Sequence, residues 1–227
     1  MKPWLRIATT TAPDGDPFVL MQRDQEFVIR VNGMELMSSR RHGSEEAMAV
    51  VAEEAISRPR ARVLVGGLGM GYTLRAVLDR LGPGGRVIVA ELARGILDWN
   101  RGVLGPLAGK PLEDRRVLAM CRDVAVLLAE ESQPKADRFD AILMDVDNGP
   151  WALVTPSNRR LWEDQGIANV AKALRPNGTL VVWSTDPQPF FVARLRAGGF
   201  VVDVQSARSN GKRGDRHTLF VARLQSR

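Results

Sequence analysis

The chain has 227 residues, 44% of them hydrophobic and 26% charged, with a formal net charge of +6. That is enough to bury a good core as one soluble domain with a small appendage. No run approaches the roughly eighteen apolar residues of a membrane span, the N-terminus has no signal-peptide core, and a lone cysteine, Cys121, excludes a disulfide framework or multi-cysteine metal site.

The expected setting is therefore the cytoplasm. Cys121 lies in an apolar run and is expected to be an inert core residue. Basic residues are spread along the chain, aromatics are only 6%, and the densest basic stretch, Arg208 to Arg216, reads as a solvated hairpin loop. The charge balance thus argues for solubility rather than for a nucleic-acid partner.

In chain order, residues 1–42 read as a small antiparallel β-domain. Strands are expected at 4–8, 18–21, 26–31 and 34–37, with a turn over Pro13 to Pro17 and a hairpin at Asn32-Gly33. Ser44 opens a helix running to about Ser57, with Glu45 and Glu46 in its first turn. Residues 43–227 then alternate strand and helix, the mark of a mainly parallel sheet covered on both faces. Strands are expected at 62–66, 86–90, 116–120, 139–144 and 179–184. Helices are expected from Thr73, over 95–103, from Val124, over 157–174 and from Pro189, with a loop at 105–111 and a turn at 175–178. Residues 200–207 and 217–224 form a closing antiparallel hairpin.

The first of these strands runs into Gly66-Gly67-Leu68-Gly69-Met70-Gly71. Glycines let the backbone turn sharply and approach a ligand, and a helix opening after them aims unpaired N–H groups at it. The next strand ends in Glu91, placed to accept both hydroxyls of a ribose. The dinucleotide pattern needs a sixth-position glycine where this chain has Tyr72, so Gly67, Gly69 and Gly71 fit the cofactor loop of S-adenosylmethionine-dependent transferases. Asp123 and Asp145 stand at the ends of the third and fourth strands, where open sheets bind ligands. Asp123 can take the adenine amine, and Asp145 faces whatever lies beyond the sulfonium; each also reads as a plain helix cap. His42 and His217 show no partner spacing for a metal or a triad and read as structural or solvent-facing, so no metal is expected. Trp151 and Trp162 read as packing residues near the acidic loop.

The five alternating units and terminal hairpin resemble the class I methyltransferase-like (Rossmann-type) fold. With the N-terminal β-domain, the glycine loop and the acidic loop Asp145-Val146-Asp147-Asn148-Gly149-Pro150, the chain is similar to the spermidine synthase family (polyamine aminopropyltransferases). That family's acidic loop runs Asp-Ser-Ser-Asp-Pro-x-Gly-Pro, two residues longer than this one. The resemblance implies that Asp145 deprotonates an amine acceptor and that the transferred group is aminopropyl. It makes Asp147 the candidate for the second aspartate, with Asn148 and Glu45 as further candidates on the acceptor side; Asn148-Gly149 reads equally as a turn pair. It implies decarboxylated S-adenosylmethionine or S-adenosylmethionine as cofactor, with methylthioadenosine or S-adenosylhomocysteine as product, and a homodimer joined through the N-terminal sheet. The family's loop has an aspartate where this chain has Met70, and its Tyr-His-Glu stretch has no clear copy beside His42. A methyltransferase acting on a small molecule and a nucleoside-binding protein without catalysis therefore stay open.

Overall fold

The computed structural model describes residues 2–11, 15–146, 160–211 and 213–225. The expectations for Pro13 and Asp14, Asp147 and Asn148, Trp151 and a helix start at Ser157 lie outside these residues. Strands β1 (Leu5–Thr11), β2 (Pro17–Arg23), β3 (Glu26–Val31) and β4 (Met34–Ser38) make an antiparallel four-stranded sheet in sequential order. Asn32 and Gly33 both take positive φ (49° and 80°), the backbone of a tight two-residue hairpin.

The expected single helix over 44–57 is two, α1 (Gly43–Val51) and α2 (Glu53–Ile56), broken at Ala52. Met48 and Ile56, on either side of the break, are both fully buried.

The main sheet has seven strands, of which β5 (Arg62–Gly66) leads on to α3 (Tyr72–Arg80). β6 (Arg86–Glu91) lies parallel beside it, followed by α4 (Arg94–Arg101); β7 (Val117–Cys121) forms that edge, followed by α5 (Val124–Glu131). On the other side of β5 run β8 (Phe139–Met144) and, after α6 (Asp164–Ala173), β9 (Leu174–Ser184), again parallel. After α7 (Pro189–Ala197), β10 (Phe200–Asn210) and β11 (Arg213–Leu224) form the antiparallel edge, β11 pairing with β9. The expected loop at 105–111 contains short 3-10 turns, Gly105–Ala108 and Pro111–Glu113.

Side chains of the central strands are buried on both faces, which explains their continuous apolar runs. Val63, Val65, Ala141 and Leu143 join Met48, Leu74 and Leu97 in one core, which also takes in Phe18, Leu20 and Ile29 of the N-terminal sheet. Leu64, Ile142 and Met144 point the other way, onto Leu127, Val170 and Phe191. Trp162 packs there too, edge-on to Phe191 at 5.2 Å.

Three expectations are corrected. Cys121 is exposed, because β7 is an edge strand, and its thiol faces the Leu92 carbonyl at 3.7 Å. The 175–178 turn is a bulge inside β9: Phe139 pairs with Leu174 but Ala141 with Thr179, so the extra residues loop outward. The basic loop 208–216 is mostly strand, with Arg208 paired to Arg216 and Asn210 to Arg213. The lengthened hairpin is an arm that folds back over the start of α1, where a Cβ on Gly43 would stand 2.8 Å from the Arg208 carbonyl oxygen.

Candidate active site

The sheet reverses its winding between β5 and β8, so ligands are expected outside the carboxyl ends of these two strands. Asp145 follows β8 at that point, and its N–H donates to the Gly66 carbonyl at 2.8 Å, carrying the ladder one residue past the strand. Gly67 has φ +84°, and a Cβ there would lie 2.2 Å from the Asp145 carbonyl oxygen; glycine is what lets the two loops cross.

Two cavities meet at this rim. The narrower, about 70 Å³, is lined by Gly67, Gly69, Glu91 and Asp123, with Leu36 and Met37 of β4 as its outer wall. The larger, about 210 Å³, is lined by Glu45, Met70, Thr73, Trp183 and His217, with Glu35, Arg41 and Asp215 among its other walls. Asp145, Gly69, Leu36 and Met37 line both.

In the narrower cavity Glu91 is buried and holds the glycine loop in place. One carboxylate oxygen accepts the Leu68 N–H and the other the Ala93 N–H, each at 2.8 Å. Burial raises its pKa, opposed by these backbone donors. Glu91 lines this cavity beside Gly67 and Gly69. Asp123 does act as a cap: one oxygen accepts the Ala125 N–H at 2.7 Å at the start of α5, and the other pairs with Arg160. It lines the cavity nonetheless. Gly71 does not reach either cavity; it is the N-cap of α3, packed against Asn100, Ala108 and Pro111. Met70 is buried and adds an apolar surface to the larger cavity.

In the larger cavity the acceptor-side candidate that the structure places is Glu45. Burial, and then the charge of Asp145, push its carboxyl up to about 7. Burial likewise raises Asp145 to about 6, against the hydrogen bond it accepts from the Thr73 hydroxyl at 2.8 Å. Ser44 donates to Glu45 at 2.6 Å, and the His217 ring nitrogen Nδ1 meets the same hydroxyl at 2.8 Å. His217 is thus a cavity residue, and its ring lies 4.6 Å from that of Trp183. Arg41 spans the mouth, pairing with Glu35 of β4 and with Asp215 of the arm at 3.4 Å. The chain's one tyrosine, Tyr72, stacks on His42 at 3.8 Å and donates to the Ser39 carbonyl, fastening α3 to the N-terminal sheet.

Thr73 was open to inference as a hydroxyl at the helix start directly after the glycine loop. His217, Asp215 and their contact with Ser44 were not, because only the folded arm brings β11 over α1. Among the described residues, no group of three or more His, Cys, Asp or Glu is placed to hold a metal ion.

No family model matches the sequence. Curated polyamine aminopropyltransferases of Mycobacterium tuberculosis and Mycobacterium bovis are 28% identical over 154 residues, 65% of this chain. The match covers only 28% of the length of those relatives. Among solved structures, spermidine synthase from Thermotoga maritima superposes with a TM-score of 0.73 at 17% identity, covering 96% of this chain and 72% of the other. A spermidine synthase in complex with the transition state analogue AdoDATO gives 0.76 at 19% identity, covering 96% and 73%.

Proposed function

We propose that this chain, a relative of the polyamine aminopropyltransferases built on the spermidine synthase fold, moves an aminopropyl group from decarboxylated S-adenosylmethionine to an amine acceptor. The observation that carries the proposal is the position of Asp145 where two chemically different cavities meet. One is formed by a glycine loop and Glu91, which suits the ribose of an adenosine, with Asp123 beside it for the adenine amine. The other is rich in carboxylates and suits a cationic amine, since an unpaired ammonium is costly to bury.

An amine acceptor arrives protonated and must lose that proton before attack. Asp145, with its carboxyl raised to about 6, is still mainly ionised near neutrality and can accept the proton. Thr73 fixes the orientation of that carboxylate. The remaining task is alignment, because a sulfonium is a good leaving group. Asp147 and Asn148 remain acceptor-side candidates on the loop following Asp145.

Arg41 favours a second reading, methyl transfer from S-adenosylmethionine, because its guanidinium among the cavity walls is a partner for that molecule's carboxylate. Calorimetric titration with both sulfonium compounds decides between them. Tight binding of S-adenosylmethionine, and none of the decarboxylated form, overturns aminopropyl transfer. If the first reading holds, Asp145→Asn lowers turnover about a hundredfold or more while leaving sulfonium binding intact.

A further inference from the structure

Aminopropyl transfer, the reading on which this inference rests, has a proton balance. The nitrogen lone pair forms the new N–C bond, and the C–S bond breaks with its electron pair going to sulfur, which leaves as a neutral thioether. The acceptor enters as a primary ammonium and leaves as a secondary one, so one proton is released at each turnover. Asp145 takes that proton inside the cavity that Glu45 also lines, and must pass it across that cavity before the next acceptor arrives.

We infer that Glu45, Ser44 and His217 form the exit for this proton, a relay leading from the cavity beside Asp145 to the arm. Three side chains far apart in sequence stand in series: Glu45 is bonded to Ser44 at 2.6 Å, and Ser44 to His217 at 2.8 Å. Ser44 is fully buried, so its hydroxyl has no solvent contact of its own. With Glu45 ionised, Ser44 donates to it and therefore accepts from His217, which sets the ring's proton on Nδ1. When Glu45 is protonated the series runs the other way, with the neutral ring in its Nε2–H tautomer, reached by exchange with solvent, so that Nδ1 is bare. Glu45 donates to Ser44, the Ser44 hydroxyl proton passes to Nδ1, and the ring releases its Nε2 proton, which returns it to the Nδ1–H form that faces an ionised Glu45.

The surroundings suit each station. Glu45 is faced by Asp145, by Glu46 of its own helix and by Tyr72 of α3; the acids favour its protonated form. His217 is faced by Trp183 of β9, by Asp215 on its own strand and by Arg41. Burial, with Arg41 adding to it and Asp215 opposing, lowers the pKa of the ring, keeping it neutral and ready to accept. His217 and Ser44 are positioning residues in this scheme, since they act through Glu45.

The test measures methylthioadenosine release by the wild type, His217→Asn and Asp145→Asn, each with and without added imidazole. Asparagine keeps an N–H toward Ser44 but cannot carry a proton. The expected result is turnover about tenfold lower in His217→Asn, with recovery by imidazole in that variant alone. Unchanged turnover, or a loss that imidazole does not repair, overturns the relay. If the wild type releases no methylthioadenosine with any amine, the transfer reading fails instead, and the relay is then read without turnover. In that case Glu45→Gln must shift the His217 titration seen by NMR, and the shift must vanish in a Ser44→Ala background. A shift that is absent, or that persists without the hydroxyl, overturns it.

Discussion

Asp145 and Glu45 share one cavity, and the charge of Asp145 makes ionisation of Glu45 more costly. Burial raises both carboxyls above their ordinary range, Asp145 to about 6 and Glu45, with that repulsion added, to about 7. The sign of the linked stability follows. A carboxyl whose folded pKa is raised contributes stability that is complete below its unfolded pKa and is lost as pH climbs through the folded one. Between about pH 5 and about pH 8 the wild type should therefore lose thermal stability through this pair. Glu45→Gln removes the larger raised group, so its melting temperature should fall less over the same range. Melting curves of the two proteins across that range check this, and parallel pH dependences would show that the Glu45 carboxyl is not raised. On the role proposed for Asp145, turnover should rise as pH passes through the region of about 6, which a pH–rate profile checks.

The loop between β5 and α3 and the arm of β10 and β11 are the elements that assemble the two cavities. At Gly67 a side chain is excluded twice, by φ of +84° and by the Asp145 carbonyl oxygen 2.2 Å from where a Cβ would sit. The left-handed backbone alone costs a residue with a Cβ about 1–2 kcal/mol, and the contact must push the β8 end away from the loop. Gly67→Ala should thus lower the melting temperature and reduce both sulfonium affinity and turnover, because Gly67 and Asp145 line the same cavity. Calorimetry and melting curves on the variant test it; wild-type affinity would mean that the loops do not cross as described. Local chemistry made this loop legible in the sequence, since strand, glycines and helix are contiguous and Glu91 follows at the next strand end. The arm was not legible. A run such as Arg208 to Arg216 looks solvated by composition, and nothing in its own residues says that it pairs to its tip or that Gly43 leaves room for it against α1. The residues that depend on it, His217 and Asp215, were hidden for the same reason, whereas Glu45 was legible as an acid in a helix's first turn and as an acceptor-side candidate.

Across the whole molecule the two ends of the parallel sheet do different work. The carboxyl ends of the strands hold the cavities, while the amino ends are tied by Asp140 near the start of β8. Its buried carboxylate accepts the Arg62 N–H of β5 and a guanidinium N–H of Arg175, both at 2.9 Å, and faces Arg58 at 3.6 Å. One side chain thereby links two parallel strands, the β9 bulge and the segment after α2. A buried carboxylate with several donors is costly to remove, because the donors lose their partner in a place that water reaches poorly. Arg58 and Arg175 are partly exposed and can rehydrate, so the main loss falls on the Arg62 N–H and on packing. Asp140→Ala should cost about 1–3 kcal/mol, a drop of roughly 3–10 °C in Tm for a chain of this size. Nothing in the cavities touches Asp140, so sulfonium affinity below the melting transition should stay at the wild-type value. Calorimetry beside thermal melting separates these outcomes, and a loss of affinity in the still-folded variant would show that the two ends of the sheet are coupled.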